Sequence, residues 1–235
     1  MISFIVSDLD GTLLPHGKNS IPEKTLDCIS KMQDKGIKFC VASGRSYVEL
    51  KHLFSSLKKP IYYICSDGAL CVYKEKTLFE TPIDLNIETK EKAIAYSKYN
   101  VFATDSNEPF YRDALMRFNN HVLPLSQAKN QKIFKIALHR APITTIDGLT
   151  KIFKSNEWQE FVSCGVNKGV ALSNLQKIIG VSEKDTLILG DAKNDIPMTT
   201  LGTSILIGNG FFGSNSHFKY QVPDFLTAIH KYFND

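Results

Sequence analysis

Apolar residues in this chain fall into short runs separated by amphipathic stretches, and the spacing predicts alternating strands and helices at both ends. Ile2 to Ser7 reads as a strand, Pro22 to Lys35 as a helix closed by Gly36, Ile37 to Ala42 as a strand, Tyr47 to Leu57 as a helix and Ile61 to Cys65 as a strand. Pro22 near the first helix start and Gly36 past its end follow the usual asymmetry of helix termini. The pattern resumes later. Gly169 to Ile179 reads as a helix ending at Gly180, Thr186 to Leu189 as a buried strand, Asp195 to Leu201 as a short helix, Ser204 to Ile207 as a strand and Phe225 to Phe233 as a terminal helix. Short β-rich runs joined by helices build a parallel sheet covered on both faces. The two ends are therefore expected to form the halves of one doubly wound, Rossmann-like α/β core.

Between them the texture changes. Leu70 to Tyr73, Val101 to Ala103, Ile133 to His139 and Phe161 to Cys164 predict strands, and Glu88 to Tyr99 and Ile143 to Lys154 predict helices. That order predicts an inserted α+β cap domain with a mostly antiparallel sheet, residues 70–165, within a core of residues 1–69 and 166–235. Its hinges are expected near Gly68 and Gly165. Gly208 to Ser216 reads as a loop.

Composition narrows the class. The 235 residues, 43% of them hydrophobic, suffice for a medium domain carrying a smaller one. Lys and Arg number 28 against 24 Asp and Glu, a net charge of +4 without a block of like charge. Nucleic-acid binding gains no support from this balance, whereas an anion-attracting cleft is compatible with it. The five cysteines form no CxxC pair and sit mostly in apolar runs, which predicts reduced thiols rather than zinc ligands or disulfides. No apolar stretch approaches the length of a membrane span, and Ile2 to Val6 is too short for the apolar part of a signal peptide. The expectation is a soluble cytoplasmic protein, monomeric or weakly dimeric, with no membrane partner.

Chemistry concentrates where strands end. Phe4-Ile5-Val6-Ser7 delivers Asp8-Leu9-Asp10 and then Gly11-Thr12, and carboxylates two apart share a face of an extended segment. Alone, this is equally an ordinary strand ending in an Asp-Gly turn. However, Lys38 to Ala42 runs into Ser43-Gly44-Arg45, and Thr186 to Gly190 runs into Asp191, followed by Asn194 and Asp195. Open α/β sheets bind ligands at the carboxyl ends of their strands, so these groups should converge. Together they suit phosphoryl transfer. Asp8, Asp10 and Asp191 offer oxygen ligands for Mg²⁺, Ser43 and the Ser43-Gly44 backbone offer donors to phosphate oxygens, and Lys168 adds a positive charge.

These residues resemble the haloacid dehalogenase superfamily of phosphatases, in order and over nearly the whole chain. Asp8 to Thr12 (DLDGT) is similar to the first signature, Ala42 to Arg45 (ASGR) to the second, Asn167-Lys168-Gly169 to the third and Gly190 to Met198 (GDAKNDIPM) to the fourth. The long insertion between the second and third is similar to the type IIB cap of Cof-type sugar phosphatases. The resemblance implies a nucleophile at Asp8, a general acid and base at Asp10 that also offers its carbonyl to the metal, and a metal ligand at Asp191. It also implies that Lys168 neutralises the transferring group, that Asp195 orients Lys168 or reaches the metal through water, and that Asn194 helps to bind phosphate. The expected partner is a small phosphorylated metabolite, a sugar phosphate by resemblance. A phosphosugar mutase of the phosphomannomutase type shares the same signatures, and a noncatalytic sugar-phosphate-binding module would keep the fold.

Several positions stay open at this level. Asp67 stands where Cof-type proteins usually carry Asn, and a carboxylate beside a phosphate pocket is repulsive unless it points away or meets a cation. It reads equally as a turn residue and as a substrate contact. Arg45 either contacts phosphate or braces the loop through a carboxylate, and His16 reads as a loop residue. Phe110, Tyr111 and Arg112 either face the leaving group or, more in keeping with aromatic residues in an insertion, form cap core.

Overall fold

The computed structural model describes residues 1–84, 92–104, 109–118, 122–142, 145–210 and 216–233. The first strand, β1 (Phe4–Ser7), is wholly buried. Next come α1 (Glu23–Asp34), β2 (Lys38–Ala42), α2 (Tyr47–Leu53) and β3 (Tyr62–Cys65). Helix α1 buries Thr25, Ile29, Met32 and Gln33, one stripe at helical spacing, and Gly36 past its end has φ +83°. Helix α2 opens on a cap in which the Glu49 carboxylate accepts from both the Ser46 N–H, at 3.0 Å, and the Ser46 hydroxyl, at 2.6 Å.

Strands β4 (Leu70–Tyr73) and β5 (Lys76–Glu80) follow a 3-10 turn at Ser66–Gly68. The pattern predicts Leu70 to Tyr73 as a strand of the insertion. Instead it pairs antiparallel with β3, and β5 pairs antiparallel with β4, so both extend the first sheet. The tight connection through Ser66–Gly68 leaves no room for a crossover, and only an antiparallel partner can follow.

A second sheet is built from β6 (Lys92–Tyr96), β7 (Val101–Ala103), β8 (Val122–Pro124), β9 (Lys135–His139), β10 (Leu149–Lys154) and β11 (Trp158–Ser163), with α3 (Pro109–Arg117) inserted before β8. Its order is β10-β11-β9-β6-β7-β8, antiparallel apart from the β7–β8 pair. Two expected helices are corrected here. Lys92–Tyr96, within the segment predicted helical from Glu88, is a strand whose Ala93 and Ala95 enter one apolar cluster while Ile94 and Tyr96 enter another. Burial on both faces removes the alternation that marks a strand. Leu149–Lys154, within the predicted helix from Ile143, is the edge strand β10; pairing with β11 decides its state. Residues 88–91, 143 and 144 lie outside the described residues.

The chain returns to the first sheet with α4 (Lys168–Ile179), β12 (Thr186–Gly190), β13 (Thr203–Ile207), β14 (Tyr220–Val222) and α5 (Phe225–Phe233), and a 3-10 stretch at Lys193–Leu201 separates β12 from β13. The first sheet runs β14-β13-β12-β1-β2-β3-β4-β5, parallel from β14 through β3. Its two faces hold separate apolar clusters, as a doubly wound sheet requires. Phe134, just before β9, and Val162 in β11 are buried in one of these clusters, which packs the second sheet against the first. The central strands β12, β1 and β2 present their carboxyl ends side by side. Among the described residues, no helix is long and apolar enough to cross a membrane.

Candidate active site

Strand β1 ends at Ser7, and its continuation is fixed by backbone bonding. The Asp8 N–H donates to the Leu189 carbonyl at 2.8 Å, which ties Asp8 to the end of β12. The Leu9 carbonyl then accepts from Thr12, Leu13 and Leu14, and Gly11 takes φ +88° to close the turn. A Cβ on Gly11 would overlap the Asp191 carboxylate, so glycine here lets the first and fourth signatures approach.

Asp8 is buried and Asp10 is half exposed. The strand has already ended, so the two carboxylates do not share one environment as simple alternation predicts. Lys168 lies between buried partners: its Nζ donates to Asp8 Oδ1 at 2.5 Å and to Asp195 Oδ1 at 2.7 Å. It is the first residue of α4, whose start is fixed by Asn167 Oδ1 accepting the Val170 N–H at 2.9 Å. The other oxygen of Asp195 accepts the Asp191 and Ala192 N–H groups at 3.1 and 3.0 Å. Asp195 thus orients Lys168 and shapes the turn after β12. Thr12, which the sequence did not single out, sets its hydroxyl 3.4 Å from Asp191 Oδ1, and His16 Nε2 lies 3.8 Å from Oδ2.

The electrostatics follow from one ammonium serving several carboxylates. Burial raises the Asp8 carboxyl well above the usual value; Lys168 pulls it back, while Asp195 and Asp191 push it further up. Burial and Asp195 likewise raise Asp191. Burial opposes the Lys168 charge, but Asp195 and Asp8 outweigh it and raise that group too. Oxygens of Asp8, Asp191 and Asp195 all lie within 4.8 Å of one another. Three carboxylates against one ammonium leave an excess of two negative charges. A hard divalent cation fits both the oxygen donors and that excess. Asp195 is already engaged at both oxygens, which leaves Asp8 and Asp191 as the side chains best able to hold it.

The phosphate-side candidates adjoin this cluster through the loop after β2. Ser43 is buried, its hydroxyl oxygen accepts the Arg45 N–H at 3.2 Å, and its carbonyl accepts the Asp67 N–H at 3.0 Å. Gly44 abuts Asp67 so closely that a Cβ would sit 2.8 Å from the carboxylate. Asn194 Nδ2 donates to Asp67 Oδ1 at 3.0 Å. Arg45 turns to Asp10, with Nε 3.0 Å from Oδ2 and Nη2 2.5 Å from Oδ1. Of the two readings of Arg45, this geometry is the carboxylate pairing.

Sequence reasoning missed Lys135 altogether. This buried lysine of β9 donates to the Gly44 carbonyl at 2.5 Å and to Glu160 Oε2 at 3.1 Å, and lies 3.8 Å from Asp67 Oδ2. A lysine inside an apolar strand run was the available signal. Phe110 belongs to the apolar core of the second sheet, its ring stacked on His139 at 5.3 Å, while the Tyr111 hydroxyl donates to the Val122 carbonyl at 3.3 Å.

The doubly wound sheet thus gathers a buried carboxylate–lysine pair at the ends of its central strands. The chain matches the family model of haloacid dehalogenase-like hydrolases over residues 5–223 and belongs to that family. Two relatives come from Escherichia coli. A 5-amino-6-(5-phospho-D-ribitylamino)uracil phosphatase is 26% identical, over 84% of this chain and 81% of its own length. An HMP-PP phosphatase is 25% identical, over 86% and 82%. The fold is shared with a solved structure from Eubacterium rectale at TM-score 0.82 and 23% identity, covering 94% of this chain and 93% of that one.

Proposed function

We propose that this protein is a Mg²⁺-dependent phosphatase that hydrolyses small phosphorylated metabolites, sugar phosphates foremost, through an aspartyl phosphate on Asp8. The observation that carries the reading is the buried Asp8–Lys168–Asp195 chain, with contacts of 2.5 and 2.7 Å, at the ends of β1 and β12. A buried carboxylate raised by its surroundings and steadied by one lysine suits a nucleophile better than a simple anchor, since binding alone requires no carboxylate aimed at an anion. The relatives named as phosphatases support the reaction class, and the phosphorylated ribityl compound in one name supports a polyhydroxylated leaving group.

In this reading Asp8 attacks phosphorus, the bond from phosphorus to the leaving oxygen breaks, and Asp10 gives that oxygen its proton. Asp10 then takes a proton from water, whose oxygen attacks the aspartyl phosphate to release phosphate and restore the Asp8 carboxylate. Lys168 offsets charge on Asp8 and on the transferring group, and Asp195 keeps Lys168 aimed. Ser43, the Gly44 backbone and Asn194 position phosphate oxygens. Asp8, Asp191 and the Asp10 carbonyl would hold Mg²⁺, which when bound supplies Lewis-acid neutralisation of the phosphoryl oxygens.

The test is phosphate release from a panel of phosphorylated metabolites with and without Mg²⁺, together with hydroxylamine trapping of an acyl phosphate. Expected are Mg²⁺-dependent turnover and an Asp8 hydroxamate. Turnover that persists after chelation, or label trapped on another residue, overturns the assignment.

A further inference from the structure

Asp67 lies in an unusual piece of backbone. Ser66 and Asp67 have φ of +49° and +55°, two successive non-glycine residues in the left-handed region. Such conformations cost free energy and persist where surrounding contacts enforce them. Two backbone bonds do so here: the Ser66 N–H donates to the Arg45 carbonyl at 2.9 Å, and the Asp67 N–H donates to the Ser43 carbonyl at 3.0 Å. The resulting carboxylate is nearly buried, with one oxygen on Asn194. Its charge is met from the other sheet. Lys135 Nζ lies 3.8 Å from the second oxygen, with Glu160 as its own counter-ion, and the buried ammonium sits 4.9 Å from the centroid of the Tyr96 ring, which leaves it little freedom. Lys135 also holds the Gly44 carbonyl at 2.5 Å. One cap lysine thereby touches the loop after β2 and, through Asp67, the Asn194 segment after β12.

We propose that Lys135 is a positioning residue for phosphate binding: by offsetting part of the Asp67 charge and holding the Gly44 carbonyl, it sets the spacing between the Ser43–Gly44 loop and Asn194. The inference rests on the phosphatase reading of that pocket. It explains how a carboxylate sits beside an anion site. Asp67 alone would repel phosphate, but with Lys135, shared with Glu160, and Asn194 offsetting its charge it becomes a strut between two binding segments. A phosphate bound there therefore depends on a side chain contributed by the second sheet.

The experiment compares the full chain with Lys135→Met and with Lys135→Met/Asp67→Asn. The first substitution keeps the apolar stem and leaves Asp67 buried and unpaired; the second removes that charge while retaining an amide for Asn194. The first readout is the affinity for inorganic phosphate, by calorimetry in Mg²⁺ and as a competitive inhibition constant. The second is hydrogen exchange at the Ser66 and Asp67 amides.

Lys135→Met is expected to weaken phosphate binding by about tenfold or more, the scale of one charge-assisted hydrogen bond, with kcat changed much less. It should also speed exchange at both amides. The double variant should regain about threefold or more of the lost phosphate affinity and recover exchange protection, because the unpaired charge is gone, while the lost Gly44 contact keeps its affinity below the parent's. A merely structural lysine would lower the melting temperature without moving the phosphate constant. If Lys135→Met does not fold, recovery of both folding and phosphate binding in the double variant supports the proposal equally. Unchanged phosphate affinity in folded Lys135→Met, or a double variant no better than the single, overturns the proposal. Absence of phosphate release by the parent protein would sink the phosphatase reading alone, since amide exchange would still report whether Lys135 enforces the Ser66–Asp67 geometry.

Discussion

Arg45 grips Asp10 by both carboxylate oxygens, Nε on Oδ2 at 3.0 Å and Nη2 on Oδ1 at 2.5 Å, while Asp8, two residues away, is held by a different cation. The site therefore keeps its two proposed reactive carboxylates in separate electrostatic settings. One is buried and pushed toward protonation; the other is half exposed and oriented by a planar guanidinium.

Arg45→Met tests what that grip does. If Arg45 orients Asp10, kcat on alkyl phosphates should fall by about tenfold, with a smaller loss on an aryl phosphate whose leaving group needs little protonation. Stability should change by about 1 kcal/mol or less, because Asp10 is half exposed and Arg45 partly so, and water screens the pair. Equal losses on both substrates, accompanied by weaker phosphate inhibition, would instead make Arg45 a phosphate ligand.

Asp8→Asn separates catalysis from folding. The amide cannot attack phosphorus, so turnover should drop by at least about a thousandfold. The same change removes a carboxylate whose burial and carboxylate neighbours disfavour its charge. The metal-free variant should therefore melt no lower than the parent at pH 7, as read by calorimetry. A folded variant retaining substantial activity would remove Asp8 from the nucleophile's role.

Much of this arrangement was legible because it is local. The runs before Asp8, Ser43 and Asp191 are short, apolar and flanked by turn residues, and adjacent parallel strands bring their ends together without further information. Lys168 follows an N-cap asparagine, which fixes its place at a helix start. The second sheet was less legible because tertiary pairing decides it. Ala93, Ile94 and Ala95 are buried on a strand with neighbours on both sides, and nothing in such a run distinguishes it from a helix. The meeting of Lys135 with Asp67 depends on how two sheets dock, a relation carried by no spacing in the chain.

The raised carboxyls give the proposed metal binding a pH dependence of defined direction. Asp8 and Asp191 hold protons in the folded, metal-free protein at pH values where the unfolded chain, near the usual 3.8, has released them. Folded protein then binds more protons than unfolded, so metal-free stability falls as pH rises from that value through the elevated ones. A cation must displace those protons, so the rise in melting temperature produced by Mg²⁺ should be larger at neutral pH than at mildly acidic pH. A Mg²⁺ shift that is the same at both pH values would show that these carboxyls are not the ligands.

Phe110 occupies a position that decides between cap core and substrate contact. It lies with Ala114 and Phe118 on one face of the helical segment and enters a cluster with Ile94, Tyr96, Val101 and Val122. Its ring stacks on His139 and lies 6.1 Å from the Trp158 ring. Phe110→Ala should therefore cost about 3–5 kcal/mol of stability in the second sheet, the usual scale for emptying a buried aromatic position. Denaturant unfolding followed by Trp158 fluorescence reads this directly. In the folded fraction, the ratio of kcat/KM for a sugar phosphate to that for an aryl phosphate should stay within about twofold, since only contacts that distinguish two transition states alter such a ratio. Unchanged stability together with a shifted ratio would place Phe110 against the leaving group and not in the cap core.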